Sequence, residues 1–440
     1  MFLAFWVFVY LCTKIEVEVF VTKILLKSVL LNDSRTDVLI VGNRFSKIAV
    51  DIPQERYEGA EVVDCKNFAI LPPFYNAHCH AAMTLLRGYA DDLPLQPWLE
   101  KHIWPFEAVM DADAVEIGSR LAALEMIKSG TVFFADMYWN RERTIKVADE
   151  MGLRAAIGTT MAENLVTPEK LEANFKFIHD RYGVNDRIQL VMMPHSIYLV
   201  GESLLRRCAK FAKDEGVYLH THLSETKFEV ENCLREHKCT PVELLEKCGA
   251  LNESLSAAHC VHLSESDMKL MADAKATAVL NPCSNLKLSS GIPNIPAILE
   301  SGIRVALGTD GASSNNNLDM CEEMKAASLL AKVMGKAETL PASDVLQLAT
   351  RNGARAFGID AGVIQEGTLA DALLVRLDEP CMSPLFNLIS NWVYAANSSI
   401  IDSVICNGSF LMRNRHVDGE KEIIADAEKC AKKLAQKVAS

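Results

Sequence analysis

The stretch Lys128-Ser-Gly-Thr-Val-Phe-Phe-Ala-Asp136 carries the alternation that decides the fold. Upstream, apolar residues recur at Leu121, Leu124 and Ile127, the spacing of one helix face, and the pattern stops at Gly130. Thr131-Val-Phe-Phe-Ala-Asp136 then reads as a buried strand, because it is apolar without polar alternation. The same grammar recurs. Gly152 precedes Arg154-Ala-Ala-Ile-Gly-Thr159, Gly216 precedes Val217-Tyr-Leu-His-Thr-His222, and Gly302 precedes Arg304-Val-Ala-Leu-Gly-Thr-Asp310. Between these lie Ile188-Gln-Leu-Val-Met-Met-Pro-His195, Leu255-Ser-Ala-Ala-His259 and Thr277-Ala-Val-Leu-Asn-Pro282, and the run Leu71-Pro-Pro-Phe-Tyr-Asn-Ala-His-Cys-His80 stands ahead of them all. Eight strands alternating with helices predict an α/β fold, a (β/α)8 TIM barrel.

The flanks have a different texture. Ile24-Leu-Leu, Val38-Leu-Ile-Val41, Lys47-Ile-Ala-Val50 and Val62-Val63 before the barrel, and Leu369-Ala-Asp-Ala-Leu-Leu-Val375 and Ser403-Val-Ile-Cys-Asn-Gly408 after it, read as short strands. Two such segments flanking a barrel join most economically into one small β-sandwich domain. The predicted order is an N-terminal extension (1–22), the first part of the β-sandwich (23–75), the barrel (76–361), the second part of the β-sandwich (362–420) and a C-terminal surface helix (421–440). Met1-Phe-Leu-Ala-Phe-Trp-Val-Phe-Val-Tyr-Leu-Cys12 is apolar but lacks a basic start and a small-residue cleavage site, and it is too short to span a bilayer. A start codon assigned too far upstream is the expectation for it, with a targeting segment as the alternative.

Composition narrows the function classes. The chain has 440 residues, half of them hydrophobic, enough for a large core. Its formal charge is −12, and no basic run with interleaved aromatics occurs, so no nucleic-acid partner and no membrane partner are expected. Thirteen cysteines without a Cys-x-x-Cys pair predict reduced thiols in a cytoplasmic protein.

In such a barrel, chemistry sits at the C-terminal ends of the strands. His78 and His80 end the first strand and share a face, since side chains two apart on a strand point the same way. His195 follows the fourth strand, His222 and Glu225 the fifth, His259 the sixth and Asp310 the eighth. Three imidazoles with one carboxylate make a nitrogen and oxygen set suited to zinc, with iron(II) as the alternative, and such an ion lowers the pKa of water. Glu225, three residues past His222, is placed to shuttle protons without being a ligand. His220, His262, His102, His179, His237 and His416 are read as structural.

Asn76-Ala-His-Cys-His80 with Thr84-Leu-Leu-Arg-Gly88, His220-Thr-His-Leu-Ser-Glu225-Thr, Ala257-Ala-His-Cys-Val-His-Leu263 and Leu307-Gly-Thr-Asp-Gly-Ala-Ser-Ser-Asn315 resemble the amidohydrolase superfamily, above all its 5-methylthioadenosine/S-adenosylhomocysteine deaminases and related chlorohydrolases. The resemblance runs from about Lys23 to Val417. It implies one divalent metal ion on His78, His80, His222 and Asp310, with Glu225, His259 and Asp310 catalytic. His195 stands where a bridging lysine would otherwise be, so a second ion is not implied. The loop Trp98-Leu-Glu-Lys-His-Ile-Trp-Pro-Phe-Glu107 resembles one whose glutamate holds ribose hydroxyls. The implied substrate-binding set is therefore Glu107, His195, Glu225, Trp98 and Ser314.

The activity implied is hydrolytic deamination of an adenosine-type nucleoside: 5′-methylthioadenosine, adenosine, 5′-deoxyadenosine or S-adenosylhomocysteine. The same chemistry on guanine, a pterin or a triazine is the alternative, and a homo-oligomer is an open state. Two positions depart from that branch: its strand-three arginine is Thr159, and the next arginine is Lys170. Those departures predict that neutral nucleosides are better substrates than S-adenosylhomocysteine, whose carboxylate wants an arginine fork.

Overall fold

The computed structural model describes residues 22–163 and 165–439, so the reading of Met1 to Cys12 lies outside the described residues. Five strands come first: β1 (Lys23–Leu31), β2 (Ser34–Val41), β3 (Arg44–Ala49), β4 (Glu61–Asp64) and β5 (Phe68–Leu71). The barrel strands are β6 (Phe74–Cys79), β7 (Thr131–Tyr138), β8 (Arg154–Met161), β9 (Ile188–Pro194), β10 (Leu219–Leu223), β11 (Leu255–His259), β12 (Thr277–Leu280) and β13 (Arg304–Leu307). They lie in sequence order, each parallel to the next. Around the remaining gap the Asp310 N–H donates to the His78 carbonyl at 3.0 Å, linking the end of the last strand to the first.

Burial on both faces explains why the strand sequences are apolar throughout: every residue of β6, β7, β10, β11 and β12 is buried. The helix Ala112–Lys128 leading into β7 is capped by Asp111, whose side chain accepts from Ala114 N at 2.9 Å. It ends at Ser129 and Gly130. Gly130 has φ +89°, and a Cβ there would meet the Ile401 and Leu373 methyls at 2.7 and 3.0 Å, so both conformation and space require glycine.

Three more strands, β14 (Ala372–Arg376), β15 (Ile401–Cys406) and β16 (Ser409–Met412), complete the flanking domain. Its order is β16-β15-β14-β5-β1-β2-β3, with β4 also on β1, so the two ends of the chain meet at the antiparallel β5–β14 pair. The flanking segments thus join into the one small β domain expected from the sequence, its strands hydrogen-bonded in a single sheet that folds over its own core. Arg44 bridges to Leu369 and Phe45 N–H donates to Thr368 O at 3.1 Å, enclosing Leu26, Ile40, Phe45, Ile70, Leu374 and Ile405. Pro72 and Pro73 separate β5 from β6, so the barrel begins at Phe74, two residues before the boundary read from the sequence. The terminal helix Glu420–Ala439 is amphipathic and buries Ala427 and Leu434 in the cluster that holds Trp98 and Phe106. It backs the loop of Trp98 and Glu107 and is more than a solvated appendage. No described helix is long and apolar enough to cross a membrane, and the twelve described cysteines are all free.

Barrel and sheet are joined through buried charge. Asp371, just before β14, accepts from Arg154 Nε at 2.8 Å and from the Tyr75 hydroxyl, while Arg154 also donates to Asn407 Oδ1 at 2.8 Å. Arg154 and Asp371 side chains are 2% and 0% exposed, so removing one leaves the other charged and unpaired in the interior. Asp371→Ala is expected to lower stability by about 3–5 kcal/mol, read as a lower denaturant midpoint at unchanged slope.

Candidate active site

His78 is fully buried on β6, and His80 follows directly at the start of a short 3-10 turn. His80 Nδ1–H donates to the Met137 carbonyl of β7 at 2.7 Å, and His222 Nδ1–H donates to the His195 carbonyl at 2.7 Å. Each carbonyl fixes the proton on Nδ1, which leaves a bare Nε2 lone pair turned inward. His222 Nε2 nevertheless lies 3.3 Å from His80 Nε2, and Asp310 Oδ1 lies 3.3 Å from both His80 Nε2 and His78 Nε2. His78 Nε2 is buried without a hydrogen-bond partner. Its Nδ1 is 2.8 Å from His220 Nε2, and His220 Nδ1 is 2.6 Å from Ser256 Oγ.

Four lone-pair donors facing one another repel unless something positive stands between them. Ligands about 2.0–2.1 Å from a tetrahedral ion stand roughly 3.3–3.4 Å apart, which the 3.3 Å separations here match. The residues present therefore fit a divalent cation. Without one, burial disfavours a charge on His80, but Asp310 outweighs it and lifts the imidazole to about 9. The cluster then takes a proton instead. Burial holds His78 down at about 4 and His195 at about 3, so both stay neutral at neutral pH.

Asp310 is held from its other side: Ser284 and Ser314 hydroxyls donate to Oδ2 at 2.6 and 2.9 Å. Its backbone, with φ +63°, and that of His259, with φ +75°, lie in the left-handed region that non-glycine residues avoid, and such strain gathers where side chains must be aimed. Asn76 accepts from Thr309 N and donates to Thr309 Oγ1, pinning the same turn. Glu225, 5% exposed, accepts from Ser290 Oγ at 3.0 Å, and its Oε2 is 3.7 Å from His259 Nε2. Burial raises its pKa, which favours the protonated, proton-donating form. Glu229 fixes the turn, accepting from Ser224 and Glu225 backbone N–H groups at 2.9 Å each.

Above the cluster lies a narrow cavity of about 80 Å³ that opens toward solvent. His80, His222, Glu225, His259, Asp310 and Ser314 line its floor, and Trp98, Trp104, Glu107, Tyr138 and His195 its sides. Burial pushes Glu107 up to about 7, against the hydrogen bond from Tyr138. Nine of the ten residues singled out from the sequence line one cavity, and the tenth, His78, lies against its floor beside Asp310 and His222. Ser314, read as touching substrate, donates its proton to Asp310. Trp98 Nε1–H is bonded to the Ala90 carbonyl at 3.0 Å, so it offers its ring.

The sequence reading left out the supporting residues. His220 shares the strand face of His222, by the period-two rule that identified His78 with His80, yet was set aside as structural. Ser284, Asn285 and Ser290 follow the seventh strand, a rim position where polar residues are informative. Asn285 Nδ2 lies 2.9 Å from His259 Nδ1.

The arrangement is that of a barrel hydrolase with histidine and carboxylate side chains gathered at its rim. A match to the Amidohydrolase family spans residues 69–411, and the chain belongs to that family, whose members are metal-dependent. It is 43% identical over 386 residues to a 5′-deoxyadenosine deaminase of Methanospirillum hungatei, covering 86% of each chain. It is 40% identical over 389 residues to a 5-methylthioadenosine/S-adenosylhomocysteine deaminase of Desulforudis audaxviator, covering 87% of this chain and 90% of that one. Among solved structures, an adenosine deaminase from Xanthomonas campestris with bound zinc superposes with TM-score 0.88 at 30% identity, over 94% of this chain and 98% of that one.

Because His220 orients His78, His220→Ala is expected to weaken metal binding by about 10–100-fold, the usual effect of losing such an outer partner. Chelator competition measures it, and His262→Ala, whose Nε2 meets only the Ser290 carbonyl, serves as the comparison.

Proposed function

We propose that the protein is a metal-dependent hydrolytic deaminase of adenosine-type nucleosides, releasing ammonia and the inosine-type product. The observation that carries this reading is the set of inward Nε2 atoms of His78, His80 and His222 around Asp310, beneath a cavity into which Glu225 also faces. His78, His80, His222 and Asp310 would hold one divalent cation, zinc by the donor set and iron(II) second. When bound, the ion supplies Lewis acidity and a lowered pKa for water.

The chain's own groups do the rest. Asp310 and His259 orient the attacking water and take up its proton as oxygen bonds to C6 of the purine. Glu225 in its protonated form donates to N1, the C6 hydroxyl then returns a proton to Glu225, and the proton first taken from water passes to the amino group so that C6–N breaks and ammonia leaves. Neutral His195 offers a hydrogen bond to the base without adding charge. Glu107 in the cavity wall accepts from ribose hydroxyls, which favours a nucleoside over a bare guanine, pterin or triazine ring.

The test is direct: metal-loaded protein mixed with 5′-deoxyadenosine, 5′-methylthioadenosine or adenosine should release ammonia with the absorbance change of deamination. Glu225→Gln should keep its metal and lose about 100-fold or more in kcat. No turnover of any of the three nucleosides would sink the reading.

Glu107 adds a pH signature. Ionised above about pH 7 it accepts charge-assisted hydrogen bonds, and protonated below it these weaken. KM should therefore rise about tenfold as pH falls through 7, and Glu107→Gln should abolish that dependence while raising KM throughout.

A further inference from the structure

The cavity wall that carries Trp98 and Glu107 is one unbroken helix, residues 95–107, whose two ends are α-helical and whose middle, Leu99–Ile103, is a π turn. Trp98, Leu99, Ile103 and Trp104 all keep helical backbone angles, so the chain never leaves the helix. The turn is wide because the Trp104 N–H donates to the Leu99 carbonyl, five residues back instead of four. The next residue is Pro105.

That proline accounts for the wide turn. In a regular helix a proline ring collides with the carbonyl four residues behind it, here that of Lys101, and has no N–H to offer it. Widening the preceding turn moves that carbonyl aside. Trp104 stays in the helical region although a following proline disfavours it there. Pro105 itself is exposed, while Ile103 and Phe106 on either side are buried in the cluster that includes Ala427 and Leu434 of the terminal helix. It therefore fills no core space, and its effect is on the backbone alone.

The consequence is a change of phase. Trp98 and Glu107 are nine positions apart, which at about 100° per residue sets them about 180° apart, on opposite faces of a regular helix. Absorbing one residue in the wide turn brings that angle to about 80°. Leu95, Trp98, Leu99, Trp104 and Glu107 accordingly all line the one cavity. We infer that Pro105 is a positioning residue for the substrate: by imposing the wide turn it carries Glu107 round to the face of Trp98, and so sets the preference for a ring that bears ribose hydroxyls. The inference rests on the nucleoside reading above. With any other residue at 105, an N–H is available to the Lys101 carbonyl, and the extra residue is free to pass into the turn beyond Ala108, which takes Glu107 off the cavity.

The test compares kcat/KM for adenosine with that for 2′,3′-dideoxyadenosine, which lacks the two ribose hydroxyls, in metal-loaded protein. Wild type should favour adenosine by about 10–100-fold, the worth of charge-assisted hydrogen bonds to Glu107. In Pro105→Ala that ratio should fall to about threefold or less, with the loss on adenosine lying in KM more than in kcat. The double variant Pro105→Ala, Glu107→Gln should show the same ratio as Glu107→Gln alone, since both changes remove one interaction. Pro97→Ala, in the first turn of the same helix where proline is tolerated, should keep the wild-type ratio. Alanine is the better helix former at an exposed site, so Pro105→Ala should melt no lower than wild type. A wild-type ratio in Pro105→Ala would overturn the inference. So would an equal loss on both substrates with a lower melting temperature, which marks a residue that serves stability only. Equal kcat/KM for the two nucleosides in wild type also sinks it, and leaves the deaminase reading intact. Failure of the wild type on every nucleoside is a different result and strikes the deaminase reading itself.

Discussion

The site depends on a restriction of protons. Two barrel carbonyls, those of Met137 and His195, each take the Nδ1 proton of an imidazole, and an imidazole has only one proton to give when neutral. What remains is nitrogen lone pairs aimed at each other and at a carboxylate, in a place where water is largely excluded. Such an arrangement is unstable by itself. It is stable when positive charge occupies the centre, and the fold rather than the ion sets the tautomers that make this so.

Each of these carbonyls belongs to the strand or loop next to the imidazole it holds. This is why a parallel barrel suits the chemistry: adjacent strands end at the same rim, so a side chain leaving one strand finds the terminal backbone of its neighbour at hydrogen-bond distance. The Nδ1 partner comes from the end of β7 for His80 and from just past β9 for His222. The flanking sheet and the terminal helix contribute at one remove. The Arg154–Asp371 pair fixes the sheet on the barrel, and the helix Glu420–Ala439 packs behind Trp98.

How much of this the sequence makes legible varies with the range of the interaction. The barrel strands are legible because they are short and largely apolar, and four of them follow a glycine stop at Gly130, Gly152, Gly216 or Gly302. His78 and His80 are legible because period two puts them on one face. The same period joins His220 to His222, but which of two same-face imidazoles faces the cavity and which is bonded within the barrel depends on Ser256, a residue on the adjacent strand. Glu107 and Trp98 stand out only through resemblance, since a carboxylate or an indole on a loop helix is ordinarily unremarkable. The single curled sheet was likewise out of reach, because the Arg44–Leu369 bridge joins residues more than three hundred positions apart in sequence.

Asp310 has a second attachment with consequences for the whole barrel. Its N–H donates to the carbonyl of His78, so the two residues facing each other across the ion site are also the two that fasten the last strand to the first. Whatever draws their side chains together also closes the seam. A cation held at the proposed site would in that sense be a clasp on the barrel's circumference, and amides along β6 and β13 would exchange with solvent at rates set by its occupancy.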